Sequence, residues 1–374
     1  MVRKVREVLI VAGEASGDLH AAGLAKALKE LRPDLRLVGV GGGRMADAGV
    51  ELLERTDGKA VMGFVEVLRT IPRHMRLLQQ LRTRLVGGQV AALVTIDYPG
   101  FNMRLAAAAR AAGVPVLYYI TPQVWAWGAG RLPRMASLVT RAAVILPFEE
   151  SLLRSHGIDA TFVGHPLLDR AASMPDRAAA RAALDLPAAA PVLALFPGSR
   201  QQEINRHLDV FVAAARILQR HQPDLHVIVA SAPGVRIPTE RCPYPRRDGS
   251  SLSILRAADA ALCKSGTTTL EAAVAGCPLV VAYRTSGWTH AIARRLVRIR
   301  HIGLVNVVAG REVAREFVQD AVVAESLAEA IRPLLRAGSP ERVRLQQDLA
   351  GVAAQLGTPG AAGRVAEMVS VLSA

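Results

Sequence analysis

The same local pattern occurs in both halves of the chain, and it constrains the fold more than any other feature. An apolar run at residues 8–11 leads into the loop 12–18 (AGEASGD), and a second run at 192–196 leads into the loop 197–200 (PGSR); a helical pattern follows each loop. Such units build parallel sheets covered by helices on both faces, and their loops lie at the carboxyl edge, where ligands bind. The pattern predicts two doubly wound α/β units in tandem, with a crevice between them.

Short apolar runs alternate with helical patterns along the whole chain, which is typical of an α/β fold. We expect an N-terminal domain at 1–167, a C-terminal domain at 168–350 and a C-terminal helix at 351–374, with a linker carrying a short helix at 167–191. The predicted strands are 8–11, 35–40, 91–96, 114–119, 143–146, 160–163, 192–196, 226–230, 258–263 and 279–282, and the predicted helices include 19–31 and 103–112.

The charge of the chain points to an anionic partner. The 374 residues carry a formal net charge of +14 at pH 7, which suits a nucleic acid, a phosphorylated substrate or an anionic lipid. A basic nucleic-acid-binding protein is therefore one alternative. Aromatic residues make up only 4% of the sequence, the arginines are dispersed, and no nucleic-acid-binding motif occurs. We therefore expect no nucleic-acid partner.

The cysteine pattern indicates a reducing compartment. Cys242, Cys263 and Cys277 show no C-x-x-C spacing, so neither a zinc site nor a disulfide framework is expected. The first strand is predicted to begin by about residue 7, so we expect no signal peptide. No D-x-D pair or His/Cys cluster of ligand spacing occurs, and the first loop lacks the three glycines of a dinucleotide fingerprint. The sequence predicts no metal site and no cofactor.

In the first half of the chain, the loops that follow two predicted strands carry acidic residues, which a phosphate-binding loop would lack. Glu14 follows the first strand closely and Asp97 follows the strand 91–96, so both are predicted at the carboxyl edge of the sheet. A carboxylate there is placed as a general base for a substrate hydroxyl, although an Asx-turn explains Asp97 equally well. Asp18 is better explained as a cap or a first-turn charge of its helix.

Two loops in the second half suit a diphosphate. Small residues at 197–199 let backbone amides approach a phosphate, and Arg200 adds a bidentate donor. The stretch 264–268 (KSGTT) ends a strand and opens a helix, whose N-terminus also favours anions. Thr268 and Glu271 have the spacing of a capping box, which is compatible with anion binding by the remaining amides.

Two further segments have both an ordinary and a functional explanation. Residues 64–82 form a basic amphipathic pattern, and from spacing alone a helix packed on the sheet is favoured over a membrane-surface helix. The loop 122–128 (PQVWAWG) contains two tryptophans, for which buried structural anchors are the more common explanation.

Together these stretches resemble the lipid-A-disaccharide synthase family, whose members are inverting glycosyltransferases of the GT-B architecture, with two Rossmann-like domains. The matching motifs cover both halves of the chain in the family's order. They are VAGEASGD (11–18), VMGFVEVL (61–68), IDYPGFN (96–102), PQVWAWG (122–128), FVGHPLLD (162–169), LFPGSRQQEI (195–204), SGTTTLEAAVAGCPLVVAYR (265–284) and LVNVVAGREVAREFVQD (304–320).

The resemblance implies a reaction and its partners. The family transfers 2,3-diacylglucosamine from its UDP donor to the 6-hydroxyl of 2,3-diacylglucosamine 1-phosphate, which gives a β-1,6 disaccharide 1-phosphate and UDP. It works at the inner face of the cytoplasmic membrane. For this chain the resemblance implies a cytoplasmic, peripheral enzyme that contacts an anionic membrane and acyl chains through residues 64–82. A homodimer that exchanges the C-terminal segment is also expected.

The resemblance also implies roles for single residues. Asp97 would deprotonate the acceptor hydroxyl for one in-line displacement without metal, and Glu14 would act beside it; these are the candidate catalytic residues. Asn102 would line the acceptor side, Glu271 would hold the ribose, and Asn306 would lie near the donor. The candidate substrate-binding residues are Asn102, Gly198, Ser199, Arg200, Ser265, Gly266, Thr267, Thr268, Glu271 and Asn306.

Two positions depart from the family pattern, and two related activities are alternatives. Gly128 replaces the family's usual basic residue, so a phosphate contact there falls to Arg131, and Gln123 replaces a serine. Other UDP-N-acetylglucosamine enzymes of the same fold, the peptidoglycan transferase and the 2-epimerase, are the alternatives. Neither departure affects the expected class of reaction.

Overall fold

The chain forms two compact α/β units. The computed structural model describes residues 6–56, 64–126, 128–232, 234–248, 250–285 and 300–374, with backbone alone for 64–71. Unit 1 comprises Met1–Pro166 and Thr358–Ala374, and unit 2 comprises Leu167–Gly357. The last segment of the chain therefore belongs to the first unit.

In the described residues, each unit forms one parallel sheet, of seven strands in unit 1 and six in unit 2. The seven strands of unit 1 are β1 (Glu7–Ala12), β2 (Arg36–Gly41), β3 (Glu51–Arg55), β4 (Val90–Ile96), β5 (Val116–Tyr119), β6 (Arg141–Val144) and β7 (Ala160–Phe162). The six strands of unit 2 are β8 (Val192–Phe196), β9 (His226–Ser231), β10 (Arg246–Asp248), β11 (Ala260–Lys264), β12 (Leu279–Tyr283) and β13 (Glu316–Val318).

Helices alternate with the strands. In the described part of unit 1 they are α1 (Ala15–Leu31), α2 (Gly43–Asp47), α3 (Phe64–Val86), α4 (Pro99–Ala111), α5 (Leu132–Leu138), α6 (Pro147–Arg154) and, at the end of the chain, α15 (Ala361–Leu372). In the described part of unit 2 they are α7 (Leu167–Ala171), α8 (Arg177–Ala183), α9 (Gln201–His221), α10 (Ser251–Ala257), α11 (Thr268–Ala275), α12 (Leu304–Ala309), α13 (Ala324–Leu335) and α14 (Pro340–Gln355). Two short 3₁₀ turns cover Ala129–Arg131 and Gln319–Ala321.

The predicted fold class is confirmed, and all ten predicted strands exist within a few residues of their expected bounds. The sequence analysis missed β3, β10 and β13, which read ELLER, RRD and EFV. These strands are short, and each lies at an edge of its sheet. Because each contains charged residues and at most two consecutive apolar residues, no apolar run marks them.

The strand order reverses once in each sheet. Unit 1 has the order β3-β2-β1-β4-β5-β6-β7, and unit 2 has the order β10-β9-β8-β11-β12-β13. In unit 1 the chain adds β2 and β3 on one side of β1, and then β4 to β7 on the other side. In unit 2 it adds β9 and β10 on one side of β8, and then β11 to β13 on the other side. Loops that follow such neighbouring strands diverge to opposite faces and leave a crevice at the carboxyl edge, which is where open α/β sheets bind ligands.

The C-terminal helix α15 completes the core of unit 1. It packs against α1, and its Val365 and Val369 are fully buried among the apolar residues of that core. Arg364 donates from Nε to the carbonyl of Val163 at 2.9 Å, and Arg6 donates to the carbonyl of Ser373 at 2.8 Å. The end of the chain is thus tied to unit 1 by apolar packing and by hydrogen bonds.

A buried carboxylate joins four segments of unit 2. Asp259 accepts hydrogen bonds from Arg177, Arg181 and Arg342 and from the backbone amide of Val192. Burial favours the neutral acid, but the Val192 amide and the arginines hold the pKa of Asp259 below its ordinary value of 3.8. The contacts connect α8, α14 and the starts of β8 and β11, so this one side chain fixes the amino edge of the sheet.

Removal of this carboxylate is expected to destabilise the protein. Asp259→Ala leaves three arginines without their shared partner, and breaking a buried ion pair costs about 3–5 kcal/mol. Urea unfolding followed by circular dichroism measures the loss. Because the pKa of Asp259 is lowered in the folded state, its contribution is present above the ordinary value of 3.8 and is lost as the pH falls through the folded-state pKa.

The matched control is Asp34→Ala, which removes the partner of Arg32. The Asp34 side chain is 60% exposed, so this change is expected to cost less than about 1 kcal/mol. Equal losses in the two variants would contradict the structural role assigned to Asp259.

Candidate active site

The predicted site residues lie at the two points where the strand order reverses. In unit 1, Glu14 follows β1 and Asp97 follows β4, which are adjacent strands. In unit 2, the loop 197–200 follows β8 and the loop 265–267 follows β11, which are also adjacent. Each pair of loops is therefore brought together by the topology of its own sheet.

The backbone after β4 is strained. Asp97 and Tyr98 have φ values of 47° and 48°, in the left-handed region that residues other than glycine rarely adopt. Ile120, which follows the neighbouring strand β5, has a φ of 57°, and β-branched residues are particularly unfavourable there. Each such residue costs about 1–3 kcal/mol and persists only where its surroundings enforce it, which is common at functional sites.

Two buried polar side chains hold the Asp97 peptide. The Tyr118 hydroxyl and the Asn102 amide nitrogen each donate to the Asp97 carbonyl at 2.8 Å, and Asn102 also donates to the carbonyl of Ile96 at 3.3 Å. Asn102 is completely buried. Its amide nitrogen is therefore committed to the backbone, whereas its amide oxygen is buried and has no hydrogen-bond partner within the described residues. The two bonds from the nitrogen favour a positioning role for Asn102 over the direct acceptor contact expected from the sequence.

The loop that carries Glu14 lies against Tyr98. A Cβ atom at Gly13 would stand 2.3 Å from the Tyr98 ring, so only glycine fits at this position. Burial raises the pKa of the Tyr98 hydroxyl, and the nearby Glu14 carboxylate raises it further. Glu14 is exposed and precedes α1 without capping it through its side chain. The two predicted acidic loops are therefore in contact through Tyr98.

Asp18 has a role that the sequence analysis did not predict. Its buried carboxylate caps the neighbouring helix α2 instead of its own helix α1. It accepts hydrogen bonds from three backbone amides, those of Gly42 at 2.7 Å, Arg44 at 3.2 Å and Met45 at 3.1 Å. Asp18 lies in the first turn of α1, so the expected first-turn charge is confirmed, whereas the expected cap of α1 was wrong. The glycine-rich loop after β2 brings the amino end of α2 to this carboxylate.

The tryptophan loop is anchored by a buried acid. Trp125 donates from Nε1 to Glu149 at 3.0 Å, and the Glu149 carboxylate also accepts from the Leu146 amide at 3.1 Å. The Trp125 ring meets Phe148 edge to face at 5.3 Å. Trp125 acts as a structural anchor, as expected, but it is half-buried and not fully buried. Trp127 lies outside the described residues.

The position of Gly128 explains its departure from the family pattern. Gly128 has a φ of 90°, which favours glycine, and the Nε atom of Arg131 lies 3.4 Å from the place where a Cβ would stand. The charges of Arg131 and Asp97 both act on the Tyr118 hydroxyl. Arg131 therefore brings a guanidinium to this part of the site.

The loop 197–200 of unit 2 already holds an anionic group. The Glu203 carboxylate accepts from the Ser199 amide at 2.9 Å and pairs with Lys264 at 2.8 Å. Burial alone raises the pKa of Glu203, but Lys264 and the Ser199 amide outweigh it and lower that pKa. A Cβ at Gly198 would meet the Glu203 side chain at 2.4 Å, so glycine is required. Arg200 stands exposed at the start of α9.

The loop 265–267 opens α11 in a different way from that predicted. The helix begins at Thr268 after Thr267, and no side chain caps it, so the expected capping box was wrong. Glu271 is buried and pairs with Arg170 of α7 at 3.1 Å. The Ser265 hydroxyl donates to the carbonyl of Ile302 at 2.6 Å. Gly266 and Thr267 lie between Ser265 and Glu271, whose side chains these bonds hold in place, and Thr267 is exposed.

Asn306 organises the segment that follows residue 300. It is completely buried, donates to Ala314 and Glu316, and accepts from the amides of Val313 and Ala314. Glu316 in turn accepts from the amide of Gly303 at 2.8 Å. All the hydrogen-bonding capacity of Asn306 is therefore used within the protein, which favours a positioning role over the predicted contact with substrate.

Four important residues were missed by the sequence analysis, and they share one property. Each is a polar side chain that bonds to a partner on another element. They are Tyr118, Glu149, Glu203 and Glu316. Glu203 and Glu316 lie in motifs that do not mark their roles, whereas Tyr118 and Glu149 lie outside the matching motifs. In the described part of the chain, no group of three or more His, Cys, Asp or Glu side chains could hold a metal ion.

Comparison with solved structures shows the class of the fold. A putative UDP-N-acetylglucosamine 2-epimerase from Listeria monocytogenes matches 98% of this chain and 96% of its own with a TM-score of 0.67 and 12% identity. The glycotransferase of kitacinnamycin matches 98% of both chains with a TM-score of 0.66 and 16% identity. Two Rossmann-like units with these neighbours define the GT-B fold, which glycosyltransferases and epimerases share.

Sequence comparison then shows the family. The family model described as lipid-A-disaccharide synthetase matches residues 8–359. The lipid-A-disaccharide synthase of Syntrophotalea carbinolica is 41% identical over 379 residues, covering 99% of this chain and 96% of the relative. That of Myxococcus xanthus is 41% identical over 369 residues, covering 97% and 96%. The chain belongs to the lipid-A-disaccharide synthase family, and the resemblance seen in its motifs is confirmed.

The buried acid of the tryptophan loop predicts a pH-dependent signal. Burial raises the pKa of Glu149 from 4.5 to about 7, although the Leu146 amide and Trp125 oppose the shift. The neutral Glu149 carboxyl favours the folded state most below about pH 4.5, where both states are protonated. This contribution to the free energy of unfolding falls as the pH rises above 4.5, because the unfolded chain ionises first, and it is lost by about pH 7, where the folded state ionises as well. Tryptophan fluorescence is expected to show a transition near pH 7 that Glu149→Gln abolishes.

The control for this titration is Glu150→Gln. Glu150 neighbours Glu149 on α6 but pairs with Arg154 at the surface, so this variant is expected to keep the transition. A transition that persists unchanged in Glu149→Gln would show that another group causes it.

Proposed function

We propose that the chain transfers 2,3-diacylglucosamine from its UDP donor to the 6-hydroxyl of 2,3-diacylglucosamine 1-phosphate. The products are a β-1,6 disaccharide 1-phosphate and UDP. Membership in the family supports the substrates. The observation that carries the mechanism is the strained, doubly hydrogen-bonded peptide of Asp97 at the point where the strand order of unit 1 reverses.

Asp97 is the proposed general base. A carboxylate that removes the proton of the 6-hydroxyl makes the oxygen a better nucleophile as it attacks the anomeric carbon, and the UDP leaves from the opposite side. Such a single displacement inverts the configuration. Glu14 lies in the neighbouring loop, where its exposed carboxylate is suited to accept hydrogen bonds from the acceptor sugar. Arg131 is suited to the 1-phosphate of the acceptor.

Unit 2 is the proposed donor-binding unit. Arg200 at the start of α9 and the amides at the start of α11 are placed to bind the diphosphate of UDP, since helix N-termini favour anions. Gly198, Ser199 and the loop 265–268 shape this site. Glu271, whose orientation Arg170 fixes, is proposed to accept the ribose hydroxyls. The positive groups stabilise the leaving diphosphate, so we propose a mechanism without a metal ion.

Asp97→Asn tests this mechanism directly. The amide cannot accept the proton, so turnover is expected to fall by about 10²- to 10⁴-fold, which is the usual contribution of a general base. UDP affinity, measured by isothermal titration calorimetry, is expected to stay within about twofold, since the base acts in the chemical step. The assay measures UDP release and tetraacyl disaccharide in the presence of a metal chelator.

The control is Asp224→Asn, which changes an exposed carboxylate in the turn between α9 and β9 and is expected to keep full turnover. Loss of UDP affinity together with turnover would refute the role of Asp97 as a base. Activity that disappears in wild-type protein when chelator is added would refute the metal-free mechanism.

We further propose that α3 contacts the inner face of the cytoplasmic membrane. None of the helices in the part of the chain described here is long and apolar enough to span a bilayer. In α3, Leu78, Leu81 and Leu85 are buried on the sheet, whereas Arg76 and Arg82 are exposed. Met75 is 48% exposed. The helix therefore packs on unit 1 as spacing predicted and still presents basic and apolar groups outward, as peripheral binding requires.

Residues 61–63 of the motif VMGFVEVL lie outside the described residues.

Vesicle sedimentation tests this surface. Replacing Arg76 and Arg82 with Gln is expected to weaken binding to vesicles containing phosphatidylglycerol by about 10-fold or more, because each basic residue near an anionic surface contributes about 1 kcal/mol. The matched control replaces Arg206 and Arg216 of α9, two exposed arginines of unit 2. Equal binding by both variants, or none by the unchanged protein, would contradict the assignment.

A homodimer with exchange of the C-terminal segment stays a prediction. In the single chain, α15 packs against α1 of its own unit 1. An exchanged helix would have to make the same contacts with a second copy. The buried Val365 and Val369 are the residues that would carry those contacts.

A further inference from the structure

The Asp97 carbonyl is fully occupied by side-chain donors. A carbonyl oxygen has two lone pairs, and here the Tyr118 hydroxyl and the Asn102 amide each take one at 2.8 Å. Asp97, the residue to which this carbonyl belongs, has a φ of 47°. The two donors therefore act on a residue whose backbone is in an unfavourable conformation.

Tyr118 reaches this carbonyl because of the order of the strands. It lies on β5, beside β4, and its Cα partner in the sheet is Thr95, two residues before Asp97. The side chain is completely buried. Burial raises the pKa of its hydroxyl, and the Asp97 charge adds to the shift, so the group keeps its proton and remains a donor. A phenylalanine would fill the same space but would make no hydrogen bond.

We propose that Tyr118 is a positioning residue for the transfer reaction. Its hydroxyl, together with the Asn102 amide, holds the Asp97 peptide in the left-handed conformation, and that conformation sets the direction of the Asp97 carboxylate. This inference rests on the proposed role of Asp97 as the general base. Without one of the two bonds, the strained peptide relaxes toward extended backbone, and the carboxylate leaves the position from which it reaches the acceptor hydroxyl. A displacement of about 1 Å can cost about 100-fold in rate.

Tyr118→Phe is the direct test. The expected result is a fall in kcat of about 10-fold or more, with KM for both substrates and the affinity for UDP within about twofold of the unchanged protein. Asn102→Ala is the second variant, and it is expected to show the same separation of kcat from KM. Because the two donors support one peptide, the loss in the double variant is expected to be smaller than the product of the single losses.

The matched control is Tyr244→Phe in unit 2. Tyr244 also donates its hydroxyl to one partner, Gln219, at 2.9 Å, and it lies in neither candidate loop. This variant is expected to lose a comparable amount of stability while keeping kcat. It therefore separates the general cost of losing a tyrosine hydroxyl from an effect on the site.

The outcomes distinguish this inference from the proposed function. If Asp97→Asn is inactive and Tyr118→Phe keeps full kcat, the positioning role is wrong and the base assignment stands. If KM rises with the fall in kcat in Tyr118→Phe, its role is one of general structure and the inference is overturned. If Asp97→Asn keeps turnover in the same assay, the proposed mechanism itself fails.

Discussion

The structure depends on a constraint of parallel sheets: the chain must leave each strand at the carboxyl edge without a hydrogen-bonding partner in the sheet. Where the strand order reverses, the two loops also diverge, so their backbone groups must find other partners. In unit 1 the side chains of Tyr118 and Asn102 supply them for the peptides after β4. In unit 2 Glu203 does so for the Ser199 amide. Buried polar side chains thus give shape to both candidate loops.

This arrangement separates the groups that shape the candidate loops from the groups that we propose to act in the site. The Asn102 amide nitrogen, the Asn306 amide and the Glu203 carboxylate bond to other groups of the protein. Glu14, Arg200 and Thr267 are exposed at the ends of strands and helices. The same motif often contains both kinds. In IDYPGFN the acid at 97 is the proposed base, and the asparagine five residues later holds its backbone in place.

Much of the fold and of the site could be predicted because the signals are local. Apolar runs located most strands, and the position of Glu14, Asp97 and Arg200 after such runs placed them at the carboxyl edges. Contacts across the sheet could not be predicted in the same way. Tyr118 reaches Asp97 only because β5 lies beside β4, and Asp18 caps α2 only because β2 lies beside β1. The capping box at Thr268 failed for a related reason: Arg170, from a distant segment, pairs with Glu271.

In the proposed mechanism, a carboxylate of unit 1 activates the acceptor for a single displacement at the donor sugar. This mechanism fixes the anomeric configuration of the disaccharide that purified protein forms from the two substrates, which nuclear magnetic resonance determines. We expect a configuration inverted relative to the UDP donor. A product with retained configuration would contradict this mechanism, because retention requires a different course of displacement.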